Sequence, residues 1–245
     1  MFSGHVRHVS GTRIFARSAG DGRQILAYAM SMSADADVAM ILPLPVPPSP
    51  PEDAVRFIDL SEYPMLFEDL SEAFPQERAA RLHEDTLSLS LPPTLKVHDV
   101  GDFEASFVPR LADFSRLDQR FRLPEQVWEQ LPGYSSFGFA VFKLRNVVAE
   151  HGDTKPFHPM AFEFPVRDPS RLFFPTVHVH DGAVRPRAFF EHLLYFQGNM
   201  TGFDTASVPV RDVVDVKRAA GVVDADAPLH RWLRYGSDDN ADTYV

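Results

Sequence analysis

The pattern of apolar and polar residues in the first part of the chain predicts β-strands. GTRIFARSA (11–19) alternates apolar and polar residues, and QILAYAMSMSA (24–34) follows it after the turn sequence GDGR. AMILPLPVP (39–47) is apolar and carries prolines at alternate positions, which cannot donate hydrogen bonds to a neighbouring strand. We therefore expect a strand pair, followed by a strand at the edge of a sheet or one whose donor side faces away from it.

Helical periodicity is confined to short stretches of the sequence. Leu60, Phe67, Leu70 and Phe74 recur at near-helical spacing and predict one helix. Proline and glycine signals help to place other short helices, including an amphipathic one that ends at Gly236. These further helices are expected over residues 75–85, 112–121, 124–134 and 227–236.

Further strands are predicted between residues 94 and 197. Residues 94–109 form a hairpin pattern, and FGFAVFKLR (137–145) fits a buried strand. HPMAFEFPV (158–166) and LFFPTVHVH (172–180) are joined by the turn RDPS, which predicts an antiparallel hairpin pairing position 166 with position 171. AFFEHLLYFQ (188–197) fits a strand or a helix, and we favour the strand.

The order of these elements predicts the fold class. Strands and helices come in blocks rather than in regular β-α-β alternation, which indicates an α+β fold. We predict one globular domain over residues 1–236, with a mostly antiparallel or mixed central β-sheet and short helices packed on one side. Residues 237–245 are expected to form a polar C-terminal tail.

The composition and charge of the chain limit the cellular compartments and the binding partners that we expect for it. The chain has 245 residues, of which 21 are Phe and none is Cys, so it can bury an aromatic core but has no disulfide or thiolate site. A formal net charge of −10 with scattered Lys and Arg argues against nucleic acid and anionic membranes as partners. No apolar run approaches the ~20 residues of a membrane span, and the first residues lack a signal-peptide pattern. We expect a soluble, cytoplasmic protein.

Three blocks of the sequence are similar to an uncharacterised bacterial domain family of unknown function. The first joins AMILPLPVP to MLFEDLSEAFP, the second runs from VHDVGDFEASFVP to FGFAVFKLR, and the third is HPMAFEFPVRDPSRLFFPTV. Their order over residues 25–180 resembles the family's valine-proline strand, GxYE-like strand pair, GYxLP-like helix and PL…F…YP hairpin. The resemblance implies architecture alone, because the family carries no known reaction.

Two histidines one residue apart, His178 and His180, are the clearest chemical signal. Alternate residues of a strand share a face, so both rings would point the same way from Cα atoms roughly 6–7 Å apart. Neutral imidazole is a common ligand of Zn, Cu, Fe and Ni. Two histidines do not complete a catalytic zinc centre, which requires three protein ligands and an open position.

A third histidine joins this pair if residues 188–197 form a strand antiparallel to it. His192 would then lie on the same face, and the three rings would form a cluster able to hold a divalent transition metal. Asp181 and Glu191 are candidates to accept hydrogen bonds from the ring N–H groups.

The histidine pair also fits a second interpretation, as ordinary polar residues on a solvated face. The neighbouring Thr176 and Asp181 agree with this interpretation. A buried cleft at the pair would favour the metal site, whereas a flat, solvated face would exclude it.

No motif in the sequence assigns a reaction. There is no P-loop, no GxSxG nucleophile elbow and no GxGxxG. We therefore predict a non-catalytic module that binds a small molecule or a protein partner, alone or as an oligomer, and leave open whether the chain is an enzyme. The alternative is a metal-binding protein or metal-dependent enzyme that uses His178, His180 and His192.

Overall fold

Two β-sheets packed face to face form the body of the protein. Within the described part of the chain, none of the helices is long and apolar enough to span a membrane. The computed structural model describes residues 1–34, 36–75, 98–100, 103–144 and 155–245.

The larger sheet is mixed. Its strands are β1 (Val6–Gly20), β2 (Arg23–Ala34), β4 (Arg56–Ile58), β8 (Lys155–Pro156), β9 (Met160–Pro165), β11 (Arg187–Gln197), β12 (Asp204–Thr205) and β13 (Leu229–Asp239). They lie in the order β12-β13-β11-β1-β2-β9-β4, with β8 also paired to β2. β1 and β11 run parallel and the other pairs run antiparallel. The predicted strands at 11–19, 24–34 and 188–197 are confirmed.

The smaller sheet is antiparallel. Its strands are β3 (Val38–Leu44), β5 (His98–Val100), β6 (Phe103–Val108) and β7 (Gly138–Leu144), in the order β3-β7-β6-β5. The proline-bearing β3 pairs with β7 and lies at the edge, as its sequence predicts. The β5–β6 pair confirms the hairpin predicted over 94–109. A separate pair is formed by β10 (Phe173–Phe174) and β14 (Thr243–Tyr244).

Aromatic side chains fill the space between the two sheets. Phe142 on β7 lies 5.8 Å from Phe162 on β9, measured between ring centroids, and 5.5 Å from Phe57 on β4. Phe142 and Phe162 belong to a continuous cluster of buried residues contributed by both sheets, and the partly buried Phe57 packs against it. The heavy Phe content of the sequence therefore serves mainly to join the sheets.

Short helices cover the outer faces of both sheets. α1 (Leu66–Glu72) packs Phe67 and Leu70 against Phe15 and Tyr195 of the larger sheet. α2 (Glu125–Glu129) and neighbouring 3₁₀ helices pack on the smaller sheet. The prediction of helices on one side is wrong, because each sheet has its own apolar outer face to cover. The 3₁₀ helices are Leu111–Arg116, Gln119–Phe121, Pro132–Ser136 and Val210–Asp212.

The hairpin predicted from the turn RDPS does not form. β9 pairs with β2 on one side and β4 on the other, so it has no free edge for residues 172–180. The Val166 N–H donates to the Gly22 carbonyl oxygen at 2.9 Å rather than pairing with Arg171. β10 pairs with β14 instead.

The last part of the chain is a strand rather than the predicted helix and tail. β13 hydrogen-bonds to β11 along its whole length, and this pairing outweighs the helical spacing of Leu229, Trp232 and Leu233. Residues 237–239 complete β13 and residues 243–244 form β14, so the expected polar tail belongs to the fold. The helix predicted over 75–85 lies almost entirely outside the described residues.

Close packing at Gly138 supports a stability prediction. A Cβ at this position would lie 2.7 Å from the ring of Phe107, which is buried on the neighbouring strand β6. We expect Gly138→Ala to lower the free energy of unfolding by about 1.5 kcal/mol in urea denaturation, because an overpacked core must shift. Gly133→Ala is the control, since a Cβ there meets nothing within 4 Å. Equal stability of the two variants would contradict the close packing of Gly138 against the Phe107 ring.

Candidate functional site

The histidine pair lies in an extended segment, residues 175–180, that is held from both sides. The Phe2 N–H donates to the Val179 carbonyl oxygen at 2.9 Å. Asn240 accepts from the His178 N–H at 2.7 Å and donates its Nδ2 to the His178 carbonyl oxygen at 2.8 Å. The rings of His178 and His180 stack with centroids 5.0 Å apart, so both project to the same side.

His192 reaches this segment from the inner face of β11. Its Nε2 lies 3.0 Å from Nε2 of His178, and the two ring centroids are 4.9 Å apart. His180 stacks on the other side of His178 and adds a third ring to the cluster. Across the described residues, no group of three or more His, Asp or Glu side chains is arranged to hold a metal ion. The structure thus brings together the three predicted histidines, with nitrogen atoms converging at one pair.

The cluster borders a cavity of about 220 Å³ between the sheets. β1 and β11 begin to pair at Thr12 and His192, and the residues before this point line the cavity from both strands. The histidines therefore face a buried cleft and not a flat, solvated surface. The lining comprises Met1, Phe2, Val9, Ser10, Thr12, Tyr28, Met40, Leu42, Pro175, Val177, His178, His180, Phe189, Glu191 and His192.

Burial keeps the three imidazoles uncharged. It lowers the pKa of His178 to about 3, that of His192 to about 3 and that of His180 to about 4. Neighbouring positive charge acts in the same direction, and Arg234 lowers the pKa of His192 further. Near neutral pH each ring thus has one unprotonated nitrogen, and the His178–His192 contact is a hydrogen bond in which one Nε2 donates and the other accepts.

Two polar residues of the cavity carry no signal in the sequence. Thr12 is buried on β1 and its side chain hydrogen-bonds to Tyr28 on β2. Burial raises the pKa of the Tyr28 phenol above its usual value, so Tyr28 keeps its proton. Their positions depend on the pairing of three strands, which no local pattern reports.

Arg234 was missed because its segment was predicted to be a helix. Its guanidinium lies over the ring of Phe190, 3.5 Å from the centroid. It also donates to the hydroxyls of Thr176 and Thr243, each at 2.8 Å. Arg234 thereby ties β13 to the segment that carries the histidine pair.

The predicted acidic partners of the histidines have other positions. Asp181 accepts from Arg185 at 2.6 Å and does not contact a ring nitrogen among the described contacts. Glu191 is exposed at the rim of the cavity. Nδ1 of His192 is buried and has no hydrogen-bond partner within the described structure.

A second candidate surface lies on the opposite face of β11 and β13. Phe189 and Leu193 on β11 and Leu233 and Tyr235 on β13 share this face, since Leu193 pairs with Leu233 and Glu191 with Tyr235. The exposed fractions are 58% for Phe189, 57% for Leu233 and 66% for Tyr235. We call these four residues the apolar row. They continue the face that α1 covers further along the sheet, at Tyr195.

The apolar row adjoins an open sheet edge. β12 pairs with β13 only at positions 230 and 231, and no strand within the described ranges pairs with the outer side of residues 232–239. Asp238 and Asp239 end this edge, with side chains 64% and 85% exposed. The surface thus combines exposed apolar side chains with a sheet edge that no described strand covers. Asp238 lies 3.4 Å from Arg234 and Asp239 lies 3.7 Å from Arg187 at its end.

Comparison with known proteins leaves the family open. No family model and no curated protein matches the sequence, so the resemblance over residues 25–180 gains no support. Among solved structures, the chain is similar to baculovirus P35, with a TM-score of 0.47 and 10% identity over 98% of this chain and 96% of that chain. Similar values hold for a mutated P35 after caspase cleavage, with a TM-score of 0.48, 10% identity and 97% coverage of each chain. The caspase-8/P35 complex gives a TM-score of 0.43 and 13% identity over 79% of this chain and 65% of that chain. Because the TM-scores are below 0.5, we infer neither fold nor function from them.

Proposed function

We propose that this chain is a non-catalytic binding module that recognises a protein partner through the apolar row and the open edge of β13. The observation that carries the proposal is the exposure of Phe189, Leu233 and Tyr235 side by side on one sheet face. Contiguous exposed apolar side chains of this kind mark interaction sites in soluble proteins.

The open edge supports a particular kind of partner. Unpaired backbone N–H and C=O groups at a sheet edge accept an added strand, and side chains on the adjoining face select which strand binds. The apolar row lies beside residues 232–239, so an added strand would place alternate side chains next to Leu233 and Tyr235.

Charge defines the chemistry of this partner further. Glu191 lies exposed within the apolar row, whereas Asp238 and Asp239 at the end of the edge are paired with Arg234 and Arg187. The whole chain carries a formal net charge of −10. We therefore propose an extended polypeptide segment in which apolar residues alternate with Lys or Arg.

A peptide-display selection tests this proposal. Linear peptides selected on the wild-type protein should combine apolar residues with Lys or Arg, and the double variant Leu233→Lys/Tyr235→Lys should bind them at least tenfold more weakly. Aromatic and apolar anchors in the centre of an interface carry most of the binding free energy, which is why a large loss is expected. Affinities are measured by calorimetry with synthetic peptides.

The control is Met65→Lys, which changes another exposed apolar residue far from β13 in sequence and should leave peptide affinity unchanged. Circular dichroism is used to check that both variants fold. Selected peptides that bind wild type and double variant equally, or a selection that yields no binders, would overturn the proposal.

A further inference from the structure

The convergence of two imidazole nitrogens inside the cavity has a chemical consequence. We propose that Nε2 of His178 and Nε2 of His192 together bind a divalent transition-metal ion, with Cu²⁺ or Ni²⁺ as the best fit. Water molecules in the cavity would occupy the remaining coordination positions. This inference rests on the histidines and not on the protein-binding surface, although Phe189 and Glu191 border both the cavity and that surface.

The separation of the two nitrogens allows both to bind the same ion. An ion about 2.0 Å from two nitrogens 3.0 Å apart subtends an angle of roughly 95° between them. Tetrahedral coordination at the same bond length would need the nitrogens about 3.3 Å apart. The observed distance thus allows both nitrogens to bind one ion, and nitrogen and oxygen ligands suit Cu²⁺ and Ni²⁺.

Both rings are held in place before an ion binds. His192 is fixed by β11, which pairs with β1 on one side and β13 on the other. His178 is fixed through both of its backbone hydrogen bonds to Asn240. An ion would replace the hydrogen bond between the rings once the ring that donates it has moved its proton from Nε2 to Nδ1. Little conformational entropy would be lost, because the backbone of both residues is already fixed.

The cavity supplies space and hydrogen-bonding groups for the other ligands. A volume of about 220 Å³ holds several water molecules beside the two histidines. His180, Ser10 and Thr12 line the same space and can hydrogen-bond to metal-bound water. Because three side chains do not converge on one point among the described residues, we assign His180 to the metal-bound water and not to the ion itself.

Neighbouring charge limits the affinity of the site. Arg234 is the cross-strand partner of His192, and its positive charge disfavours a cation nearby. Its guanidinium is engaged with the Phe190 ring and with the hydroxyls of Thr176 and Thr243. Among the described residues that line the cavity, Glu191 at the rim is the one carboxylate, so a bound ion would keep most of its positive charge.

Metal titration of the untagged protein tests the proposal. We expect one equivalent of Cu²⁺ or Ni²⁺ to bind, measured by calorimetry and by elemental analysis after gel filtration. His178→Gln and His192→Gln should each weaken binding more than tenfold, whereas His180→Gln should weaken it less than tenfold. The control His8→Gln changes an exposed histidine of β1 and should leave binding unchanged.

Electron paramagnetic resonance of the Cu²⁺-loaded wild type gives a readout that does not depend on whether the variants fold. Splitting from two imidazole nitrogens supports the site. A spectrum without imidazole nitrogens, an equal loss of binding in His8→Gln, or no uptake by the wild type would overturn it and leave the two rings as a hydrogen-bonded pair.

Discussion

Replacing Phe162 with Ala is expected to lower the free energy of unfolding by about 4 kcal/mol, the loss typical of truncating a buried aromatic side chain. Phe162 is fully buried on β9, between the two sheets. Its ring contacts Phe142 on β7 at a centroid distance of 5.8 Å and Phe57 on β4 at 6.2 Å. Truncation leaves a cavity at the place where the sheets join, and these neighbours cannot fill it without moving both sheets.

Urea denaturation monitored by fluorescence and circular dichroism measures this loss. Phe189→Ala is the matched control, because it makes the same chemical change at a side chain that is 58% exposed. Its effect should stay within about 0.5 kcal/mol, as for most surface substitutions. A loss below about 1.5 kcal/mol for Phe162→Ala would mean that this ring does not join the two sheets.

Local sequence signals predicted strands whose own residues carry a clear pattern. β1 and β2 are separated by a turn of two residues, and the alternation along each strand gives its position. The proline-bearing β3 could be placed at an edge because proline lacks an N–H, whatever its neighbour is. In these cases the backbone chemistry of the segment itself limits the outcome.

Long-range pairing could not be predicted in the same way. β13 carries apolar residues at a spacing that suits a helix, and it becomes a strand because β11 offers a full-length partner. β9 accepts two partners, β2 and β4, and this removes the hairpin that the turn sequence favoured. Nothing within these segments reports which distant strand will lie beside them.

The candidate site, too, was predicted where local sequence signals exist and missed where it depends on long-range strand pairing. The sequence pointed to His178 and His180 on one side of an extended segment, and to His192 if residues 188–197 formed a strand. The cavity itself arises where β1 and β11, about 180 residues apart in sequence, stop pairing at Thr12. The end of this pairing also brings the hydroxyls of Thr12 and Tyr28 to the cavity. No sequence pattern marks the position at which the pairing ends.

The segment that carries His178 depends on a carboxylate near the end of the chain. Asp242 accepts hydrogen bonds from the Thr176 N–H at 2.9 Å, the Val177 N–H at 3.1 Å and the Tyr134 hydroxyl at 2.6 Å. Burial raises the pKa of this carboxyl from 3.8 to about 6, although the three hydrogen bonds act in the opposite direction.

This raised pKa makes stability depend on pH. Between pH 3.8 and about 6 the folded protein binds more protons at Asp242 than the unfolded chain does. The stabilisation that the protonated carboxyl gives to the fold is therefore complete below pH 3.8 and is lost as the pH rises through 6. The shift corresponds to about 3 kcal/mol, and partial exposure of the residue reduces the expected effect to about 2 kcal/mol.

Asp242→Asn isolates this effect, because the amide cannot ionise but keeps an oxygen to accept from the backbone N–H groups of Thr176 and Val177. We expect the unfolding free energy of the wild type, minus that of Asp242→Asn, to fall by about 2 kcal/mol between pH 3.5 and pH 7. Titrating groups that do not interact with Asp242 cancel in this difference. The buried Met1 amino group, whose pKa burial lowers to about 5 and Asp242 raises, does not cancel. Asp239→Asn, at an exposed carboxylate, should show no such trend. A difference that rises with pH would instead mean that the hydrogen bonds of Asp242 outweigh its burial, so that the ionised carboxylate is the form that holds the His178 segment in place.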